Sequence, residues 1–236
     1  MRAIWKRELQ NYFMTPIGYV FTGFFLLMGG LFFFFSNIVT GSGSIVGTFS
    51  QFDTILMFLA PVLTMRLFSE ERKNKSEQLL LTSPLPLPAI VLGKYFAAVS
   101  VFILTLSGTS LYVLIIALYG QIFWGELLTA YLGFFLLGCC YIAVGTLVSS
   151  MTENQVSAAV AAFGLSFLIW IFDSLIFLIP VPMFSSALEW LSLRKRYSMF
   201  LLSQLGISGV VYFLSFCAVL LFLTVRVIDK RRWSEG

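Results

Sequence analysis

Histidine is absent from the 236 residues. Zinc hydrolase centres, Ser/His/Asp triads, Cys/His dyads and His-ligated haem all need imidazole, so the sequence excludes each of them. Charge is nearly as scarce. Asp, Glu, Lys and Arg make up 11% of the chain, less than half of the roughly 25% usual in soluble domains. The three cysteines, Cys139, Cys140 and Cys217, all lie in apolar runs. A disulfide framework needs paired cysteines in an oxidising aqueous space, so small apolar fillers are the expected role. A phosphate loop is missing as well. Gly93-Lys94 is the one candidate pair, but Pro88 stands where the first glycine of G-x-x-x-x-G-K-[ST] belongs and Tyr95 follows the lysine. The chain is expected to bind no nucleotide by that route, to hold no metal or other cofactor, and to carry no catalytic residue of its own.

What remains is apolar: 59% hydrophobic residues and a mean hydropathy of +0.94. A membrane-spanning helix takes about 20 apolar residues, so the length allows six with short connections. The apolar runs are long and continuous rather than alternating over ten residues, which excludes a β-barrel. The fold class is therefore all-α, a single multi-spanning membrane domain over residues 1–236. The basic excess, 15 residues against 11 acidic, reports orientation in such a protein and not nucleic-acid binding.

Residues 1–15, MRAIWKRELQNYFMT, place Ile4, Trp5, Leu9, Tyr12 and Phe13 on one half of a helix and Lys6, Arg7, Gln10 and Asn11 on most of the other. That pattern predicts an interfacial amphipathic helix with Trp5 at headgroup level and Lys6 and Arg7 facing water. It is not expected to be a cleaved signal, because the following apolar run is too long and ends without a small-x-small site. Spans are predicted over about 17–39, 49–67, 93–119, 127–148, 156–179 and 207–227. Pro61 should kink the second. Phe184 to Ser203 mixes Leu188, Trp190, Leu191 and Leu193 with Arg194, Lys195 and Arg196. It is too polar to span and too oily to float free, so one or two short re-entrant or interfacial helices are expected there. With the N-terminus inside, twelve of the fifteen basic residues fall on the inner side. The positive-inside rule then makes both termini cytoplasmic.

The longest polar interruption is FSEERKNKSEQLLLTSPLPLPAIVLGK, from Phe68 to Lys94. Glu70 and Glu71 should favour the start of a short helix, with Lys73 and Lys75 following, as the macrodipole prefers. Leu79, Leu80 and Leu81 give it an apolar tip, and Pro84, Pro86 and Pro88 set a rigid return to the membrane. A solvated loop would need neither feature. Residues 69–90 are read as a segment that seats in a groove on a soluble partner.

Four acids lie in or near the apolar runs. Glu126 and Glu189 are expected to be solvated. Asp53 and Asp173 fall in the outer halves of the second and fifth spans, and an intramembrane carboxylate is a candidate site by default. They could line an outward cavity and carry protons; pairing with Arg194, Lys195 or Arg196 at the outer interface is favoured. Small residues recur on the fifth span (Ser157, Ala158, Ala161, Ala162, Gly164) and the fourth (Gly138, Gly145, Ser149). They allow close helix packing, within one chain for the fourth and either within or between subunits for the fifth. The 26 phenylalanines suit core and lipid contact better than an aromatic substrate path.

At the central stretch the sequence resembles the ABC-2 type exporter permeases, and nearest among them the permease subunit of the gliding-motility-associated ABC transporters. The resemblance rests on Glu70, Glu71, Arg72, Gln78, Leu79, Leu80, Thr82, Pro84 and Val91-Leu92-Gly93-Lys94, with Lys75-Ser76 where that branch has Gly-Thr. The closing Leu223 to Trp233, with Arg226, Lys230, Arg231 and Arg232, is also similar. The resemblance implies an exporter subunit in the cytoplasmic membrane of a bacterium. In it Glu70, Glu71, Arg72, Lys73, Glu77, Gln78, Leu79, Leu80, Leu81 and Pro84 would couple to a separate ABC ATPase subunit, present in two copies and holding the ATP and Mg. The second permease would be a copy of this chain or a related membrane protein with a large extracytoplasmic domain. The alternative is a proton-coupled secondary transporter using Asp53 and Asp173. Its sites would usually lie near the midplane on broken helices, whereas these acids sit nearer the outer end.

Overall fold

The computed structural model describes residues 1–73, 85–176, 192–204 and 206–234, with only the backbone path for 173–176 and 232–234. Among them there is no strand, and six helices are long and apolar enough to cross a membrane. The chain is an all-α membrane protein.

Helix α1, Arg2–Met14, leads through Thr15 into α2, Pro16–Phe33, whose Pro16 occupies the first turn, where no intrahelical N–H is needed. The run of phenylalanines ends α2 in a π-helical turn, Phe34–Ile38. Helix α3, Val46–Thr64, contains Pro61. The helical path breaks at Met65, four residues further on, and resumes as α4, Arg66–Lys73. The third span is two helices, α5 (Leu87–Gly108) and α6 (Ser110–Tyr119), meeting at Thr109. It begins six residues earlier than the apolar pattern suggested, since Pro86 and Pro88 tolerate a helix's first turn. Lys94 therefore lies two turns inside α5 and not at its mouth. Helices α7 (Trp124–Met151) and α8 (Gln155–Ile176) follow, then α9 (Leu193–Leu201) and α10 (Ile207–Ser234). The polar C-terminal stretch, beyond the predicted span over 207–227, continues α10 as helix. Of the segment 184–203, residues 192–203 are described, and their helix is α9.

Helix α7 is the hub: α3, α4, α5, α8, α9 and α10 all pack on it. Its glycines make this possible. A Cβ on Gly138 would overlap the Phe102 ring of α5, and one on Gly145 would overlap Thr64 of α3. The fourth span's small residues thus serve packing within the chain. Around Gly138, aromatic rings from four helices meet: Phe25–Phe52 centroids lie 5.2 Å apart, Phe49–Phe52 4.9 Å, Phe52–Phe134 5.4 Å and Phe102–Phe134 5.5 Å. Lipid tails are as apolar as these rings, so their gain is close packing and ring geometry rather than water release. Cys140 Sγ and Cys217 Sγ approach to 3.4 Å between α7 and α10 as free thiols. On α8 the small residues divide. Ala158 and Ala162 are buried, while Ser157 and Ala161 face outward beside the exposed Val156, Val160 and Leu168.

Gly138→Ala should lower the melting temperature in detergent, reflecting about 1–3 kcal/mol of overpacking against Phe102. Gly23→Ala, with open space where its Cβ would stand, should match or slightly exceed the parent.

Candidate functional site

On the side of the molecule where α4 emerges, an ammonium sits among protein atoms. The Lys94 side chain is 1% exposed. Its Nζ lies 2.9 Å from Glu71 Oε1 on α4 and 3.3 Å from Glu8 Oε1 on α1, and it donates to the Leu67 carbonyl at 2.6 Å. The Phe68 ring centroid is 5.1 Å away. Arg7 closes the cluster from outside, 3.1 Å from Glu8 and 2.9 Å from Glu71. Two carboxylates and two cations thus join three helices that are remote in sequence. A buried cation this well surrounded has its desolvation offset only while all its partners are in place.

Local backbone chemistry brings these groups together. Gly93 has only a hydrogen where a Cβ would stand 3.1 Å from Ile4 Cγ2, so α1 lies close on α5. Ile4, Glu8 and Tyr12, four residues apart, form the buried face of α1. The Trp5 indole donates to Ser100 Oγ of α5 at 2.9 Å, so this edge of the predicted interfacial helix meets protein, while Lys6 and Arg7 remain exposed. The Tyr12 hydroxyl donates to the Leu63 carbonyl at 2.7 Å, near the end of α3. Burial, and then the Glu8 charge, push that hydroxyl's pKa above its ordinary value. At Arg7 burial acts to lower the pKa, and hydrogen bonding and charge from Glu8, with Glu71 behind, outweigh it and raise it.

Helix α4 is anchored on its other flank too. Ser149 Oγ of α7 accepts from the Phe68 and Ser69 amides at 3.1 and 3.4 Å and donates to the Met65 carbonyl at 3.0 Å. One hydroxyl thereby caps the broken joint between α3 and α4. Arg66 pairs with Glu70 one turn on, at 3.0 Å, and hydrogen-bonds Thr15 Oγ1 between α1 and α2. Arg72 reaches Glu153 at 2.6 Å and the Met151 carbonyl at 3.3 Å, past the end of α7. Because α4 starts at Arg66, Glu70 and Glu71 fall in its second turn and not at its N-terminus. Ion pairs with Arg66, Arg7 and Lys94 hold them, and the macrodipole argument does not apply. Lys73 is exposed at the end of α4. Glu77, Gln78, Leu79, Leu80, Leu81 and Pro84 lie outside the described residues, as does Glu189.

At the opposite end, Asp53 of α3 is buried. It accepts from the Tyr141 hydroxyl at 3.1 Å and lies 3.4 Å from Arg194 Nε of α9. Arg194 also stacks over the Trp170 ring, 5.1 Å from its centroid, and Tyr197 donates to the Phe49 carbonyl at 2.6 Å. Asp53 is thus an anchor for α9. Asp173 is on α8, and its side chain lies outside the described set. Glu126, expected in water, is half-buried and accepts from Ser44 Oγ, closing the loop that Asn37 organises through the Ser42 and Ser44 carbonyls. Among the described residues no group of His, Cys, Asp and Glu could hold a metal ion.

Glu8, Lys94 and Ser149 carry the site, and sequence reasoning assigned none of them there. A signal existed for Glu8. It is the one acid on the face that Ile4 and Tyr12 share, and a buried acid needs a cation.

A multi-pass helical membrane protein whose α4 is tied back to the bundle on both flanks defines the class. Residues 40–193 match the family model described as ABC-2 family transporter protein, well over half of the chain. The chain belongs to that family, the membrane permease components of ABC transporters, which work in complex with an ABC ATPase. No curated protein matches it.

Lys94→Met leaves Glu8 and Glu71 without their buried cation and should cost about 3–5 kcal/mol, seen as a large fall in melting temperature of the detergent-solubilised chain. Adding Glu8→Gln should restore part of that loss, whereas Glu8→Gln with Lys6→Met should not exceed Glu8→Gln alone.

Proposed function

We propose that this chain is the transmembrane subunit of an ATP-driven exporter, and that α4 with the segment after it is the surface on which the ATPase docks. The observation that carries the reading is the tie of α4 to α1, α5 and α7 at once, through Lys94, Ser149 and Arg72. A solvated loop needs no such anchoring. A lever driven by a partner does, because a force on α4 must move the spans rather than bend the joint at Met65. In this reading both termini and α4 are cytoplasmic, the membrane is the inner membrane of a bacterium, and two ATPase copies bind ATP and Mg. ATP-driven closure pulls the α4 segments together and cargo leaves outward. The second permease is a copy of this chain or a related subunit, and the outward Ser157 and Ala161 of α8 fit a close seam between the two. The similarity around Glu70 to Pro84 supports the gliding-motility-associated branch. Asp53, in its contacts with Arg194 and Tyr141, is an outer-end strut in this scheme and not a proton carrier.

The test is affinity purification in mild detergent with ATPase activity read on the eluate. A P-loop protein should co-elute with vanadate-sensitive turnover. Leu80→Asp should lose the partner. Glu71→Gln should keep it but uncouple cargo movement from turnover. Asp53→Asn should leave transport driven by ATP. A single-chain eluate without turnover, reproduced in nanodiscs, or transport abolished by Asp53→Asn with turnover intact, would sink the proposal.

A further inference from the structure

A groove of about 640 Å³ runs between α5 and α10. That volume is in the range of small-molecule sites, about 300–1,000 Å³. Its walls are Leu92, Phe96 and Val99 of α5, Phe135 of α7, and Leu214 and Leu221 of α10. Only its α4-side mouth is charged, by Arg226 and Asp229 of α10. These two stand three residues apart, on one face of the helix, with about 5–6 Å between Cβ atoms. Among the described residues neither is in an ion pair. The Arg226 guanidinium lies 5.1 Å from the centroid of the Phe222 ring beneath it.

We propose that this groove binds one aminophospholipid from the leaflet on the α4 side, with its phosphate on Arg226, its ammonium on Asp229 and an acyl chain along Leu92 and Phe96. The charge pattern selects the occupant. An apolar slot open to the bilayer admits any acyl chain, but one cation beside one anion matches a zwitterion. A lipid with net negative charge would satisfy Arg226 and meet repulsion from Asp229. A choline headgroup has no N–H to donate to the carboxylate, whereas a primary ammonium donates three. A bound chain would lie against α5, the helix that carries Lys94, so occupancy would brace the element that α4 is tied to. The assignment does not depend on the direction of transport or on what the ATPase does.

Native mass spectrometry of the purified full chain in mild detergent tests it, with phosphatidylethanolamine, phosphatidylglycerol and phosphatidylcholine of identical acyl chains as probes. One phosphatidylethanolamine per chain should bind, about tenfold more tightly than either other lipid. Arg226→Gln should weaken phosphatidylethanolamine and phosphatidylglycerol alike. Asp229→Asn should erase the preference for phosphatidylethanolamine over phosphatidylcholine while leaving overall retention. If a charge variant unfolds, Leu221→Trp decides, since it fills the groove without touching either charge and should expel the lipid. Equal retention of all three lipids, a preference unchanged by both charge variants, or lipid retained by Leu221→Trp would overturn the assignment. So would cross-linking of Leu221→Cys chains to one another in nanodiscs, which would make the groove's occupant a second copy.

Discussion

A lysine ammonium two turns inside an apolar helix has no water to solvate it, and Lys94 has to find its compensation in protein. It finds Glu71 on one side and Glu8 on the other, and much of the architecture on the α4 side follows from that requirement. Helix α1 is drawn onto α5 so that Glu8 can reach. Helix α4 continues α3 past Met65, whose dihedrals stay in the right-handed helical region, and carries Glu71 to within 2.9 Å of Lys94. Ser149 holds the joint through the Met65 carbonyl and the Phe68 and Ser69 amides. Such a cluster adds little net stability compared with apolar packing of the same volume. Its value is that it permits one arrangement of the three helices and penalises the others.

The opposite end repeats the logic with different residues. Asp53 is buried in α3, and α9 supplies Arg194 to it while Tyr197 of α9 caps the Phe49 carbonyl. Between the two ends, α7 contributes shape rather than charge. Its glycines let Phe102 and Thr64 press against its backbone, and Phe134 joins the ring cluster. The bundle is thus pinned by ion pairs at both ends and by close packing in the middle. In the proposed reading, where a partner pushes α4, displacement at the joint would pass into α1, α5 and α7 as a unit.

Much of the fold is legible from composition. The apolar runs are long enough that only helices can satisfy their backbones in lipid, so class, span count and approximate positions follow from hydropathy. Boundaries drift where polar residues are helical: the third span starts at Leu87 because Pro86 and Pro88 are compatible with a helix start, and α10 runs to Ser234 because a helix leaving the membrane need not stop being one. The site was half legible. Charge density and triple proline point at Phe68 to Lys94, but they give Lys94 itself no special weight. Lys94 reads as one more inner-side positive charge, and Glu8 is left out of both faces of the first helix.

The sequence by itself determined that this protein spans a membrane six times, that its polar excursion lies between the second and third spans, and that chemistry needing histidine or a phosphate loop is excluded. Those conclusions depend on transfer energies and residue types, which are local quantities. Only the tertiary structure decided which charges meet. Glu8, Glu71 and Lys94 are separated by up to 86 residues, and no local pattern records that one ammonium serves both carboxylates. The same holds for Asp53 with Arg194. A charge in hydrocarbon announces that it needs a partner, and the fold alone says which one it has.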